Sequence, residues 1–134
     1  MSNGITSFFR YQVPAILWAL CIYVASSIPS GRIQWWLFHR FDKLIHLTIF
    51  LVFGLLVYRG LHRWENPSGF SYKRILIMLL IVLGYGLFDE LHQGNTPGRT
   101  VDVGDFVADV AGGVLAGGIL VIANQISRRR SNPG

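Results

Sequence analysis

Acidic residues and cysteine are both scarce in this chain of 134 residues. It has seven Asp and Glu against twelve Lys and Arg, and Cys21 is its single cysteine. One cysteine excludes a disulfide framework and a cysteine-based metal centre. Charged residues make up 14% of the chain and hydrophobic residues 51%, whereas soluble domains have about a quarter charged residues. This balance predicts a protein that is embedded in lipid, and the length allows one domain.

Signatures of nucleotide and nucleic-acid binding are missing as well. The stretch Asp89-Glu90-Leu91-His92 has the letters of a helicase motif, but the chain lacks the Gly-rich phosphate-binding loop that such enzymes need. The basic residues lie between and beyond the apolar runs and do not form an interleaved basic and aromatic face. We therefore expect no nucleic-acid partner.

The chain does contain four long apolar runs. Connections rich in Pro, Gly, Asn and Ser separate them, and no internal repeat is visible. A helix of about 20 residues crosses the roughly 30 Å of hydrocarbon in a bilayer. We predict an all-α fold, an integral membrane bundle of four transmembrane helices in a single domain over residues 1–134. The predicted spans are residues 13–28, 44–58, 75–91 and 105–126.

Lys and Arg are unequally divided between the two ends of such a bundle. The end that holds both termini carries eight of them, and the opposite end carries four. The eight are Arg10, Arg59, Arg63, Lys73, Arg74, Arg128, Arg129 and Arg130, and the four are Arg32, Arg40, Lys43 and Arg99. By the positive-inside rule, this division predicts that both termini are cytoplasmic.

Six of the seven acidic residues lie near the predicted outer ends of the second, third and fourth spans. Acids have little influence on topology, so this asymmetry needs another cause. Asp42 and His46 are four residues apart, and so are Asp89 and Gln93, with Glu90 next to Asp89. The acids that lead into the fourth span are Asp102, Asp105 and Asp109. Residues at these spacings share a helix face, so each helix is expected to turn one polar patch inward.

The third apolar run, Ile75 to Phe88, is too short to cross the hydrocarbon alone, because about 14 residues of helix extend roughly 21 Å. The polar stretch that follows it is therefore expected at membrane level. A charge facing lipid there costs several kcal/mol, so such groups normally face a bundle interior or a wet cavity and mark function. We predict a shared polar site beneath the outer headgroups. The alternative is a set of interfacial residues, each solvated separately.

The residue types suggest what such a site does. His46 is the candidate acid–base group, and Asp42 is expected to hold its tautomer and raise its basicity. Asp89 and Glu90 are adjacent carboxylates that complete the candidate catalytic set. Arg99 is expected to bind a phosphate or carboxylate with two hydrogen bonds. The other predicted binding residues are Lys43, Gln93, Asp105, Asp109 and Ser26. A divalent metal on some of these residues is left open, since no spacing is diagnostic, and the sequence names no cofactor.

Several short motifs follow one another in order between about residues 26 and 118. They are Ser26-Ser27-Ile28-Pro29, Asp42-Lys43-x-x-His46, Gly84, Asp89-Glu90-x-x-Gln93, Pro97-Gly98-Arg99, Asp105 and Gly112-Gly113. This ordered set resembles the VanZ-like family, which is named for a protein linked to glycopeptide resistance, especially to teicoplanin. The resemblance implies a small multi-pass protein of the bacterial plasma membrane and implies no particular reaction. Asp109 departs from the family pattern, in which Asn is expected.

Three functions are compatible with such a site. The first is binding or modification of a cell-envelope or lipid-linked component, with the bilayer as surroundings and a lipid-linked precursor or a glycopeptide as partner. The second is an enzyme that uses the four candidate catalytic residues as acid–base groups or metal ligands on a lipid-linked substrate. The third is a structural role, in which Lys43 and Arg99 neutralise the acids. Transport is disfavoured because no inverted repeat is visible.

Overall fold

The protein is an all-helical bundle in a computed structural model that describes residues 4–30, 35–61 and 69–131. The helices are α1 (Gly4–Tyr11), α2 (Val13–Ser26), α3 (Trp35–Gly60), α4 (Tyr72–Gly94) and α5 (Val103–Ser131). No strand occurs within those described ranges. The predicted all-α fold class is confirmed.

Three of the helices, α3, α4 and α5, are long and apolar enough to cross a membrane. Helix α2 has 14 residues, which extend only about 21 Å and are too short for the hydrocarbon layer. However, α1 and α2 are bent by 41° at a short break and together qualify as a fourth span. The chain is therefore a multi-pass helical membrane protein with three spans, or four when the bent pair counts as one.

The bend between α1 and α2 follows from Pro14. Proline has no N–H, so the carbonyl of Arg10, four residues earlier, cannot receive its usual helical hydrogen bond. Arg59 of α3 donates to this carbonyl through Nη2 at 3.3 Å. A hydrogen bond thus connects the break between α1 and α2 to the C-terminal end of α3.

Helices α3 and α5 pack closely because of Gly112. A β-carbon there would meet the carbonyl oxygen of Leu47 and would lie 2.8 Å from the backbone nitrogen of Leu51. The two helix backbones are therefore in contact at this position, which only glycine permits. This contact lies one helical turn from Asp109, so it also sets how near that side chain comes to α3.

An apolar core fills the middle of the bundle. Phe50, Met78, Val82 and Ala116 are almost completely buried and belong to one contiguous cluster. Many other large apolar side chains face outward along the helices. In lipid such side chains lose nothing by exposure, and helix association depends on close packing instead.

One end of the bundle holds the C-terminal ends of α2 and α4 and the N-terminal halves of α3 and α5. We call it the acidic end, because hydrogen bonds and ion pairs link acidic residues of α3, α4 and α5 there. Of the basic residues used to predict topology, Arg32, Arg63 and the side chain of Arg40 lie outside the described residues. The cytoplasmic location of the termini stays a prediction.

Candidate functional site

Five ionisable side chains from three helices meet at the acidic end, and we call them the acidic cluster. They are Asp42 and His46 of α3, Glu90 of α4, and Asp105 and Asp109 of α5. Two groups of three have donor atoms that all lie within 4.8 Å of one another. The first group is Asp42, His46 and Asp105, and the second is His46, Glu90 and Asp109. The imidazole belongs to both groups and is the centre of the cluster.

The two ring nitrogens of His46 have different surroundings. Nδ1 lies 2.8 Å from Oδ1 of Asp109, which is a hydrogen bond. Nε2 lies 3.9 Å from an oxygen of Asp42 and 3.9 Å from an oxygen of Asp105, and both distances are too long for hydrogen bonds.

Asp109 of the neighbouring helix therefore orients the imidazole, and the predicted orienting role of Asp42 is corrected. Asp42 shares a helix face with His46 but remains beyond hydrogen-bond distance of the ring. The close contact of α3 with α5 at Gly112 brings Asp109 to the ring instead.

Space for Asp109 is made by Gly86 of α4. A β-carbon at Gly86 would lie 3.2 Å from Cβ of Asp109 and 3.3 Å from its Oδ2. These distances are tighter than ordinary van der Waals contact, so the bare glycine lets the carboxylate fit between the helices. The same β-carbon would lie 3.5 Å from the ring of Phe50, which places the apolar core directly against this side of the cluster.

Three buried carboxylates each have one oxygen that no described residue hydrogen-bonds. Asp89, Glu90 and Asp109 are 1%, 2% and 0% exposed. Oδ1 of Asp89, Oε1 of Glu90 and Oδ2 of Asp109 have no hydrogen-bond partner among the described residues. An unpaired buried polar atom costs about 1–3 kcal/mol, and folded proteins contain few of them. The acidic end thus has capacity for protons, water or a cation from outside the chain.

Lys43 bridges the edge of the acidic cluster. Its Nζ lies 3.0 Å from Oδ2 of Asp102 and 3.0 Å from Oδ1 of Asp105. Oδ1 of Asp102 also accepts a hydrogen bond from the N–H of Gly104 at 2.7 Å, which caps the start of α5. The hydrogen bond from Lys43 is the main reason that the pKa of Asp102 is lowered, and the Gly104 N–H adds to it. Since the Lys43 side chain is 58% exposed, it serves the rim of the cluster and leaves the buried oxygens unpaired.

A second polar group adjoins the acidic cluster, and we call it the helix-end network. Its members are Ser26, Gln93, Thr96 and Arg99. Nε2 of Gln93 donates to Oδ2 of Asp89 at 2.9 Å and lies 3.5 Å from Oγ of Ser26. Its Oε1 accepts from Nη1 of Arg99 at 3.1 Å. Both ends of this amide are therefore used inside the protein, and Asp89 lies between the two polar groups.

Arg99 contacts the end of α2. Its Nε donates to the carbonyl of Ile28 at 3.2 Å, and its Nη2 donates to the carbonyl of Ala25 at 3.4 Å. A cation at the C-terminal end of a helix satisfies otherwise unpaired carbonyls and interacts favourably with the helix dipole. Among the described residues Lys43 forms ion pairs with acids and Arg99 forms none, so only Lys43 is placed to neutralise them. The binding of an external anion by Arg99 stays a prediction.

One contact between α2 and α4 was not predicted from the sequence. Oγ of Ser27 lies 2.8 Å from Nε2 of His92, and the ring of Tyr23 stacks on this imidazole at 4.5 Å. The position of His92 in the same polar stretch as Asp89 could have indicated that its side chain also lies at the acidic end. Asp102, which was not predicted for the site, lies outside the acidic cluster and is connected to its rim through Lys43, which it shares with Asp105.

Every residue predicted for the site lies at the acidic end, in two groups. Asp42, His46, Glu90, Asp105 and Asp109 form the acidic cluster, with Lys43 at its rim; Ser26, Gln93 and Arg99 belong to the helix-end network, and Asp89 joins the two. A groove of about 900 Å³ lies elsewhere, lined by apolar side chains that include Phe8, Ile16 and Phe53. No predicted site residue lines it in the part of the chain that is described. The groove and the predicted site residues thus lie in different parts of the bundle, and the histidine–carboxylate cluster is at the acidic end.

These observations define a class of protein, a multi-pass helical membrane protein with a buried histidine–carboxylate cluster at one end of its bundle. A family model described as VanZ/LLP1 matches residues 5–124. The chain belongs to this family, and the resemblance seen in its motifs is confirmed. Comparisons with curated proteins and with solved structures gave no match.

Proposed function

We propose that this protein binds or modifies a cell-envelope or lipid-linked component at its acidic cluster, on the outer face of the bacterial plasma membrane. The observation that carries the proposal is a set of three carboxylate oxygens, buried beside or within the cluster, that have no hydrogen-bond partner in residues 4–30, 35–61 and 69–131. Ionisable groups inside a membrane bundle are costly and usually belong to functional sites. A ligand that satisfies these oxygens gives a reason for their burial.

The chemistry of the cluster restricts the ligand. Unpaired carboxylate oxygens accept hydrogen bonds and carry negative charge, so the incoming component supplies hydroxyl, amide or ammonium groups, or arrives with a cation. The Asp42 side chain is 38% exposed, whereas His46 and Asp105 behind it are largely buried. A ligand is therefore expected to enter past Asp42 and reach Nε2 of His46. Among envelope components, sugar and peptide groups of lipid-linked precursors have this chemistry.

The outer location is supported by the distribution of charge. Arg10, Arg59 and the tail Arg128 to Arg130 lie on helix ends away from the acidic cluster, as the positive-inside rule requires of a cytoplasmic end. The outer location is tested by replacing Asn95, which follows α4, with cysteine in a Cys21→Ser background. We expect a membrane-impermeant maleimide to label Asn95→Cys in intact cells. Labelling only after the membrane is permeabilised would place the acidic end inside the cell.

An enzyme is the second candidate, and the hydrogen bond between His46 and Asp109 favours it. A carboxylate on Nδ1 fixes the ring and leaves Nε2 directed at the more open side of the cluster. A histidine held in this way is suited to general acid or base catalysis, here on a lipid-linked substrate. Glu90 also has a donor atom within 4.8 Å of the imidazole, and its Oε1 has no hydrogen-bond partner among the described residues.

Native mass spectrometry of protein purified in mild detergent tests the binding proposal. We expect wild type to carry an envelope-derived species and Asp105→Asn to lose it. Asp102→Asn is the matched control, because Asp102 shares Lys43 with Asp105 but lies outside the acidic cluster. Equal loss in both variants, or no bound species in wild type purified from growing cells, would contradict the proposal.

Cell-based assays separate the two candidates and test the link to resistance. Wild type, His46→Gln and Asp102→Asn are expressed to equal levels, and the susceptibility of the cells to teicoplanin is measured. We expect wild type and Asp102→Asn to lower susceptibility and His46→Gln to lose the effect. Retention of the bound species by His46→Gln, with loss of the cellular effect, would favour the enzyme over the binder. No effect of wild type would remove the link to resistance.

A further inference from the structure

We infer that the acidic cluster binds one divalent transition-metal ion on the Nε2 side of His46, with Asp42, His46 and Asp105 as its protein ligands. The inference rests on the proposed function for the purpose of the ion, which would meet the incoming envelope component. Metal binding itself is measured without that component, so each proposal can fail separately.

The distances around Nε2 fit a shared ion better than they fit direct contacts. Oxygens of Asp42 and Asp105 each lie 3.9 Å from Nε2, which is too far for a hydrogen bond. Two donor atoms that each bind one ion at about 2.1 Å are separated by about 3.0–4.2 Å, depending on the angle at the metal. The observed separations fall inside this interval, and all three donor atoms lie within 4.8 Å of one another.

The other side of the ring is prepared for metal binding. Metal-ligating histidines usually donate their second ring N–H to a carboxylate, which fixes the tautomer and raises the basicity of the ligand nitrogen. Nδ1 of His46 has such a partner in Asp109 at 2.8 Å. Asp109 is thus a positioning residue that leaves Nε2 available to an ion.

Unpaired oxygens provide independent support for a cation. Oε1 of Glu90 and Oδ2 of Asp109 are buried without hydrogen-bond partners in the described chain, and both residues have a donor atom within 4.8 Å of the imidazole. Among the described residues Lys43 forms its ion pairs at the rim, with Asp102 and Asp105, and none with Glu90 or Asp109. Apart from His46, the described residues bring no positively charged side chain to these buried carboxylates, and a divalent ion would add positive charge there.

The donor set indicates the class of metal. One imidazole nitrogen and two carboxylate oxygens suit zinc or manganese, whereas calcium and magnesium prefer oxygen ligands alone. Three protein ligands leave a coordination position open, as in sites where a bound water or substrate completes the metal. Asp42 is the most exposed of the three, so the open position is expected on its side.

Metal titration of purified, chelator-stripped protein tests the inference. Zn²⁺ and Mn²⁺ are titrated separately by calorimetry in a Cys21→Ser background, and bound metal is counted by elemental analysis. We expect one ion per chain for at least one of the two metals. Asp105→Asn and His46→Gln should weaken binding by about 100-fold, and Asp109→Asn, which keeps a hydrogen-bond acceptor for Nδ1, by about tenfold.

Two further variants keep the test decisive if a buried variant does not fold. Asp42→Asn changes a partly exposed side chain, and we expect it to fold and still lose at least about tenfold in affinity. Asp102→Asn removes a nearby acid that is not a proposed ligand, and its affinity should remain within about twofold of wild type. Absence of stoichiometric binding, or equal weakening by Asp102→Asn and Asp42→Asn, would overturn the inference. If the protein binds metal but no envelope component, the metal inference stands and only the function proposed above is contradicted.

Discussion

Two groups of polar side chains lie side by side at one end of this membrane bundle and differ in completeness. In the helix-end network, the polar atoms of Gln93 and the guanidinium nitrogens of Arg99 have partners within the protein. In the acidic cluster, Glu90 and Asp109 each have a buried oxygen without a hydrogen-bond partner in the described parts of the chain. The first group fastens α2 to α4 and the loop after it, and the second lies between α3, α4 and α5.

This difference distinguishes polar side chains that stabilise the fold from polar side chains that are available to a ligand. A buried polar network in which each member is satisfied fixes helices in one arrangement, whereas a partly satisfied one retains a free-energy cost. The helix-end network is expected to stabilise the fold when it is intact. The acidic cluster is expected to contribute little stability until something binds to it. Mutations should therefore affect the two groups in opposite ways.

The largest expected effect comes from forcing α3 away from α5. In Gly112→Ala, the new methyl group meets the backbone of α3, which cannot move aside as a side chain would. We expect a loss of about 3 kcal/mol in the free energy of unfolding, at the upper end of overpacking effects. Thermal or denaturant unfolding in detergent measures it. Gly118→Ala on the same helix is the matched control, because a β-carbon there has nothing within 4 Å; an equal loss in both variants would show that helix contact is not the cause.

Gln93→Ala removes the central member of the helix-end network. Oδ2 of Asp89 and Nη1 of Arg99 then lose their partner, and we expect unfolding to become easier by about 2 kcal/mol, since hydrogen bonds to charged groups are worth about 1.5–3 kcal/mol. Asn95→Ala is the control, because it removes an exposed amide that, among the described residues, donates only to the carbonyl of Leu91. Should the two variants unfold alike, the network would not be structural.

Glu90→Gln should produce a smaller change and in the other direction. Glutamine retains an acceptor for the N–H of Asp102, which Oε2 now accepts at 2.9 Å, and it removes a negative charge from a crowded acidic site. We expect the metal-free protein to be unchanged or more stable by up to about 1 kcal/mol. Unfolding of the chelator-treated protein measures it. A loss of about 2 kcal/mol or more would show that Glu90 stabilises the fold, as the members of the helix-end network are expected to do.

The smallest effect concerns the rim and depends on pH. Because the pKa of Asp102 is lower in the folded protein, its contribution to stability is fully present above the unfolded pKa of about 3.9. That contribution is lost as the pH falls through the folded value. Asp102→Asn retains a good helix cap, so the variant should be less stable than wild type near pH 7 and equal to it well below pH 3.9. The difference should be under about 1 kcal/mol, since Asp102 and Lys43 are half exposed or more and solvent screens their interaction. A difference that persists at low pH would mean that the carboxylate charge is not the cause.

The helices and the acidic end followed from local features of the chain. Run length predicts helices that cross a membrane, and four-residue spacing puts Asp89 and Gln93 on one helix face, which is how they are found. The partner of His46 could not be predicted in this way, because it depends on the rotation of α5 against α3 at Gly112. The contacts of Arg99 depend on a loop in which Gly98 has φ +76°. Contacts between elements are set by packing that no spacing rule contains.

The close packing at Gly86 also affects whether an ion or a proton can pass through the bundle. Asp109 presses against it from α5, and the ring of Phe50 adjoins the same point. Beneath them Met78, Val82 and Ala116 are packed without exposure to solvent. Among the described residues this apolar packing leaves no polar path from the acidic end through the middle of the bundle, so an ion or proton is expected to enter and leave on the side of Asp42, which is partly exposed.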